Sequence, residues 1–157
     1  MALQPGQPAP NFAATDDNGQ QVSLENLRGK WVVLYFFPKA AAYSMGCALE
    51  TQKFEAILPE LRGMGAEVIG ISTDSSAALS KFKTHCSSTF PMLSDSDKSI
   101  GKAYSVMVGL GALLGAADRQ TFLIDPDGRI AQHWRVGNIM THAVEVKQAL
   151  EARVAKA

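Results

Sequence analysis

The chain has 157 residues, with 15 lysines and arginines against 15 aspartates and glutamates, so no net field recruits nucleic acid or an anionic membrane. Its 46% hydrophobic and 19% charged residues suit one folded domain with a real core, residues 1–157, and not a disordered chain. No apolar run of about 18 residues occurs, and the opening MALQPGQPAPNF lacks a basic-then-apolar segment. That argues against a signal peptide or a membrane span and for a cytoplasmic protein, in which the two cysteines are expected to be catalytic, redox-active or buried.

Taken in order, the Pro-rich stretch 1–12 reaches a short strand near Phe12. Asp17-Asn18-Gly19 is a turn signal and Gln21 to Leu24 the hairpin partner, followed by one helical turn that stops at Gly29. Trp31 to Phe37 is an unbroken apolar run ending at Pro38, the pattern of a strand buried on both faces in a parallel sheet. Ser44 is a good N-cap for the next helix, whose stripe is Phe54, Ile57, Leu58 and Leu61, with a kink expected at Pro59 and an end at Gly63 or Gly65. Glu67 to Ser72 reads as the next strand, and Asp74 or Ser75 as the cap of a helix carrying Leu79, Phe82 and Cys86.

A short extended piece, Phe90 to Leu93, precedes a small helix at about Asp97 to Tyr104. Residues 106–117, VMVGLGALLGAA, carry no charge and fit either a partner-facing apolar patch or a loop folded over a pocket mouth. Gln120 to Ile124 is a strand, Pro126-Asp127-Gly128 a turn, and Arg129 to Arg135 the returning strand. Thr141 is expected to cap a last helix with Val144, Val146 and Leu150 on or near its inner face. Helices alternating with the first strands and a closing hairpin give an α/β fold with a mixed central sheet.

Cys47 falls in the first turn of the helix after Ser44, where unpaired N–H groups and the helix dipole favour an anion. A thiol there ionises more easily, so Cys47 is the candidate nucleophile. His85 and His133 have no second ligand at metal-like spacing, and no metal or other cofactor is assigned.

Several pieces in this order carry a resemblance: Gly6 to Phe12, Val33 to Lys39, Gly46-Cys47 with Glu50, Phe90 to Asp95, Arg119 to Asp125, and Trp134-Arg135 with His142 downstream. With these the chain resembles the peroxiredoxins, above all their bacterioferritin-comigratory (Q-type) branch, across nearly its whole length. The resemblance implies a thioredoxin-like fold and a thiol-dependent peroxidase that reduces hydrogen peroxide and organic hydroperoxides. It makes Cys47 the peroxidatic cysteine, oxidised to a sulfenic acid and regenerated by thioredoxin or another thiol. By similarity Arg119 holds both thiolate and peroxide, Ser44 matches a threonine three residues before the family's cysteine, and Pro38 matches a proline that shields the pocket. The expected assembly is a monomer or a weak homodimer.

The catalytic loop departs from the branch pattern. Seven residues, Ala40 to Gly46, stand between Lys39 and Cys47, more than is usual there, and Met45 replaces a proline. One family position for a resolving cysteine is Gln52 here, and another aligns with Lys83, three residues before Cys86. Cys86 is therefore the candidate resolving cysteine, about one turn away and expected on a similar side. The alternative is a buried small hydrophobe, with an external thiol acting directly on the sulfenic acid. A rival function on the same fold is a peroxide sensor or chaperone-like binder. A thioredoxin-type disulfide exchanger is disfavoured because Cys47-Ala48-Leu49-Glu50 supplies no second cysteine.

Overall fold

The chain folds around the strand its apolar run predicts. The computed structural model describes residues 3–38, 45–108, 113, 115–136 and 138–155, with the backbone at 45–47. A hairpin of β1 (Ala13–Thr15) and β2 (Gln21–Ser23) is followed by a 3-10 turn at Glu25–Leu27. Then come β3 (Trp31–Phe36), α1 (Met45–Gly63), β4 (Ala66–Ser72), α2 (Ser76–Cys86) and β5 (Met92–Ser94). The short α3 (Ser99–Ala103), β6 (Gln120–Ile124), β7 (Ile130–Arg135) and α4 (Ile139–Val154) complete the order.

The main sheet runs β5-β4-β3-β6-β7. β3 pairs in parallel with β4, Val33 beside Val68, and antiparallel with β6, Val33 beside Leu123. A central strand must be apolar on both faces, and Val32 to Phe37 are each no more than 1% exposed. Val33, Tyr35 and Phe37 meet Phe54, Leu58 and Leu61 of α1, Leu79, Phe82 and Cys86 of α2, and Ala143, Val146 and Leu150 of α4. Val32, Leu34 and Phe36 face the other way, against Phe12, Ile100, Tyr104, Val106 and Phe122. Gly70 on β4 makes room for this layer, since a Cβ there would sit 3.1 Å from the Phe37 and Tyr35 rings.

Of the two caps that the sequence offers, Asp74 and Ser75, it is Ser75 that caps α2, accepting from the Ala78 amide. α1 carries Pro59 in its interior and ends at Gly63. α3 is shorter than the expected Asp97–Tyr104 span, because the carboxylate of Asp95 already takes the amides of Ile100 and Gly101 and Asp97 takes that of Ser99. The last helix corrects two expectations. Asn138 and not Thr141 caps it, accepting from the Met140 amide, while Thr141 lies inside and donates to Glu145. With the helix starting at Ile139, Val144 turns outward and is 49% exposed, and His142, Ala143, Val146 and Leu150 form the buried face.

Candidate active site

Because β6 runs against β3, the end of one lies beside the start of the other, and Phe36 pairs with Gln120. Pro38 follows β3 by two residues and Arg119 immediately precedes β6, so both stand at the same end of the sheet. In an α/β sheet this carboxyl end of the parallel strands is where ligands bind. The backbone of Cys47 lies in the first turn of α1; its side chain, and Ser44 and the loop 39–44 altogether, are outside the described residues.

Arg119 is held through both its backbone and its side chain. Its carbonyl accepts from the Val136 amide at 3.0 Å, which ties it to the end of β7. Its guanidinium donates from Nη1 to Oε1 of Glu50 at 2.5 Å, with the arginine side chain 18% and the glutamate side chain 1% exposed. Glu50 is three residues, about one helical turn, past Cys47 on α1. Burial pushes the Glu50 carboxyl up to about 7, against the downward pull of the adjoining Arg119 charge and hydrogen bond. Its second oxygen, Oε2, is buried without a hydrogen-bond partner.

Around this pair the core is polar at a few chosen points. The hydroxyls of Tyr35 on β3 and Thr51 on α1 are 2.9 Å apart, which pins the helix to the strand. His142 reaches from α4 to the Thr121 hydroxyl of β6 at 2.8 Å. Its ring stands edge-on to Phe54 of α1 and to Trp134 of β7, each at 5.7 Å between centroids. Burial first, and the Arg119 charge after it, hold the imidazole down at about 4 against the opposing pull of Glu145, so it is neutral at physiological pH. On the opposite face of the sheet, His133 stacks on Phe122 at 4.4 Å and its Nε2 donates to Oε1 of Gln120 at 2.6 Å. Gln120 in turn donates to Asp118, which also receives Arg135.

Of the residues the sequence singles out, Pro38, Arg119 and the Cys47 backbone gather at one end of the sheet. Arg119 is not in a surface salt bridge but in a buried one. Lys83 and Cys86 diverge: Lys83 turns to Asp17 at 3.1 Å, while Cys86 enters the core layer at 3% exposure. That layer is the one against which Ala48, the residue after Cys47, packs. Of the uncharged stretch, Val106, Ala116 and Ala117 are buried, Val108 and Leu113 are exposed, and 109–112 and 114 lie outside the described residues.

Sequence reasoning assigns no chemical role to Glu50, His142 or Thr121. The three-residue spacing of Glu50 from Cys47 is a signal for the first, whereas the meeting of His142 with Thr121 across 21 residues has none. Among the described residues, no group of three or more His, Cys, Asp or Glu is arranged to hold a metal, and no helix is long and apolar enough to cross a membrane.

Residues 5–133 match the family model described as AhpC/TSA family. Peroxiredoxin Bcp of Bacillus subtilis is 32% identical over 154 residues, an alignment that covers 96% of this chain and 97% of that protein. A Cys-to-Ser mutant of Xylella fastidiosa PrxQ superposes with a TM-score of 0.90 at 30% identity, covering 98% of each chain. Bacterioferritin Comigratory Protein of Xanthomonas campestris, in a trapped intermediate/ligand complex bearing on its alkyl peroxide reduction activity, superposes with a TM-score of 0.83 at 32% identity. That alignment covers 91% of this chain and 92% of the other.

Proposed function

The chain belongs to the AhpC/TSA family and is a peroxiredoxin with a thioredoxin-like fold, and from that premise we propose how its own residues carry out thiol-dependent peroxide reduction. Cys47 is the peroxidatic cysteine. Its thiolate attacks the terminal oxygen of a hydroperoxide, the O–O bond breaks, and its electron pair leaves on the departing alkoxide or hydroxide, which takes up a proton. Cys47 is left as a sulfenic acid. Arg119 stabilises the thiolate and the charge that develops on the departing oxygen, Ser44 offers a hydroxyl to the peroxide, and Pro38 keeps water from the pocket.

The observation that carries this assignment is the placement of Arg119. Its guanidinium is held by a buried carboxylate on the helix that starts two residues before Cys47, at the ligand-binding end of the sheet. The substrates are hydrogen peroxide and organic hydroperoxides, the second supported by the alkyl peroxide activity of the Xanthomonas campestris relative. Cys86 condenses with the sulfenic acid, releasing water and closing an intramolecular disulfide that thioredoxin or a similar dithiol reduces. We take the protein to act in the cytoplasm as one domain, a monomer or weak homodimer.

The test is peroxide consumption with dithiothreitol as reductant, using hydrogen peroxide and tert-butyl hydroperoxide in parallel. Cys47→Ser is expected to abolish both activities while circular dichroism stays unchanged. Residual turnover above a few per cent of the parent would overturn the assignment.

A further inference from the structure

Resting on Cys47 and Arg119 as assigned above, we propose that Thr73 is a positioning residue that extends this peroxidase to bulky apolar hydroperoxides: its hydroxyl hangs the span 115–119 across the end of β3, and Leu113, just outside that span, meets the organic group of the hydroperoxide. The Thr73 hydroxyl donates to the Gly115 carbonyl at 2.6 Å, across 42 residues of sequence. Thr73 directly follows β4, whereas Arg119 directly precedes β6. β3 lies between those two strands, so the chain from Gly115 to Arg119 bridges the end of the sheet at which Pro38 stands. The span passes on the face opposite α1, because Ala117 packs in the layer of Phe36 and Ile71 while Phe54 and Leu58 of α1 pack in the other.

Thr73 stands on a fixed platform. The Ser72 hydroxyl donates to the Asp74 carboxylate at 2.7 Å, the Ser94 hydroxyl to the Asp74 carbonyl at 2.7 Å, and the Asp95 amide to the Ser72 carbonyl at 2.8 Å. The Asp118 amide closes the base of the span on the Val106 carbonyl at 2.7 Å. Gly115 has φ +79°, a left-handed conformation that suits glycine, so the chain turns there, two residues after Leu113. Leu113 is 82% exposed and Val108 41%, and no residue from 106 to 117 carries a charge. Uncharged aliphatic side chains beside a peroxide site favour the organic part of an alkyl hydroperoxide by removing its surface from water, and they offer nothing to hydrogen peroxide. Arg119 keeps its own holds on the Val136 amide and the Glu50 carboxylate, so the Thr73 bond governs the wall of the site and not the guanidinium.

The experiment compares second-order rates with cumene hydroperoxide and hydrogen peroxide in the parent, Thr73→Val, Thr73→Ser and Leu113→Ser. Val keeps the shape of the Thr73 side chain and deletes the donor; Ser keeps the donor. Thr73→Val and Leu113→Ser should each lose about tenfold with cumene hydroperoxide and no more than about twofold with hydrogen peroxide, while Thr73→Ser stays parental. A second readout needs no turnover. The alcohol product, 2-phenyl-2-propanol, should slow the alkylation of Cys47 by iodoacetamide in the parent and in Thr73→Ser, and the other two variants should need about tenfold more of it. A parental ratio of the two rates in Thr73→Val would overturn the proposal, as would an equal loss with both peroxides, the mark of a merely structural bond. Protection unchanged by Leu113→Ser would overturn it too. A parent that is protected yet turns over neither peroxide would uphold this site and sink the peroxidase reading, so the two failures are distinguishable.

Discussion

At the scale of single residues, the site is a set of buried polar groups whose protonation is decided by what surrounds them. Arg119→Met removes the partner of a buried carboxylate, and Glu50 is then expected to stay protonated. The fold should therefore survive, at less than the ~3–5 kcal/mol typical of breaking a buried ion pair. The second-order rate with peroxide should fall about 100-fold or more, the usual effect of deleting one charge-stabilising donor. An unchanged rate would show that Arg119 acts elsewhere. His142 and Glu50 have opposite effects on stability. The folded imidazole titrates at about 4 against 6.5 unfolded, so the native state binds fewer protons in that window and this contribution grows as pH rises. The folded Glu50 titrates at about 7 against 4.5, so its contribution is present at low pH and is lost as pH rises through that range. Each is worth on the order of 3 kcal/mol at most, and between 4.5 and 6.5 they cancel. In His142→Gln, which keeps a bond to Thr121, urea midpoints should decline from pH 4.5 to 7 while the parent stays nearly level to about 6.5. Parallel curves would refute the opposition.

At the scale of elements, the ends of helices decide what can move. Asn138→Ala deletes the side chain that accepts from the Met140 amide and should cost about 1 kcal/mol, read by calorimetry, whereas Thr141→Ala should cost clearly less. The end of α2 is secured from three sides. Lys83 pairs with Asp17, Glu55 of α1 takes the Thr89 amide and hydroxyl, and Ser87 closes the helix in a left-handed conformation at φ 54°. A disulfide with Cys47 needs the two Cα atoms within about 7 Å, and opening this last turn would release Cys86 from the core layer. Closing the loop itself is the smaller cost, since it grows only with the logarithm of length. Peroxide should nevertheless convert the reduced chain to a disulfide between positions 47 and 86, and Cys86→Ser should stall or overoxidise when thioredoxin is the reductant. Normal turnover by that variant, with no disulfide in a non-reducing peptide map, would make Cys86 a packing residue.

At the scale of the whole molecule, β3 is covered on both faces and paired on both edges, so its amides should exchange with deuterium among the slowest in the chain, with those of edge strands β5 and β7 faster. Fast exchange across Val33 to Tyr35 would contradict this layering. Local rules settle much of this architecture. An apolar run must be a buried strand, a cap at Asp74 or Ser75 must open the helix after β4, and turn residues at 126–128 must join two strands. The family pattern likewise points to Cys47 and Arg119 without coordinates, because a thiol at a helix start and an arginine at a strand start are both marked by neighbours in sequence. Where the local signals tie, the sequence is silent. Asn138 and Thr141 are both good caps, and only the docking of α4 against β6, with His142 on Thr121, fixes the start of the helix and turns Val144 outward. Glu50 has the composition of a solvated surface acid, yet α1 lies against the sheet at an angle that buries it on Arg119, 69 residues away. Sequence determines which segments are helix or strand because propensity and periodicity act over a few residues. Tertiary structure alone decides which charges are stripped of water, because desolvation depends on everything that packs around a group.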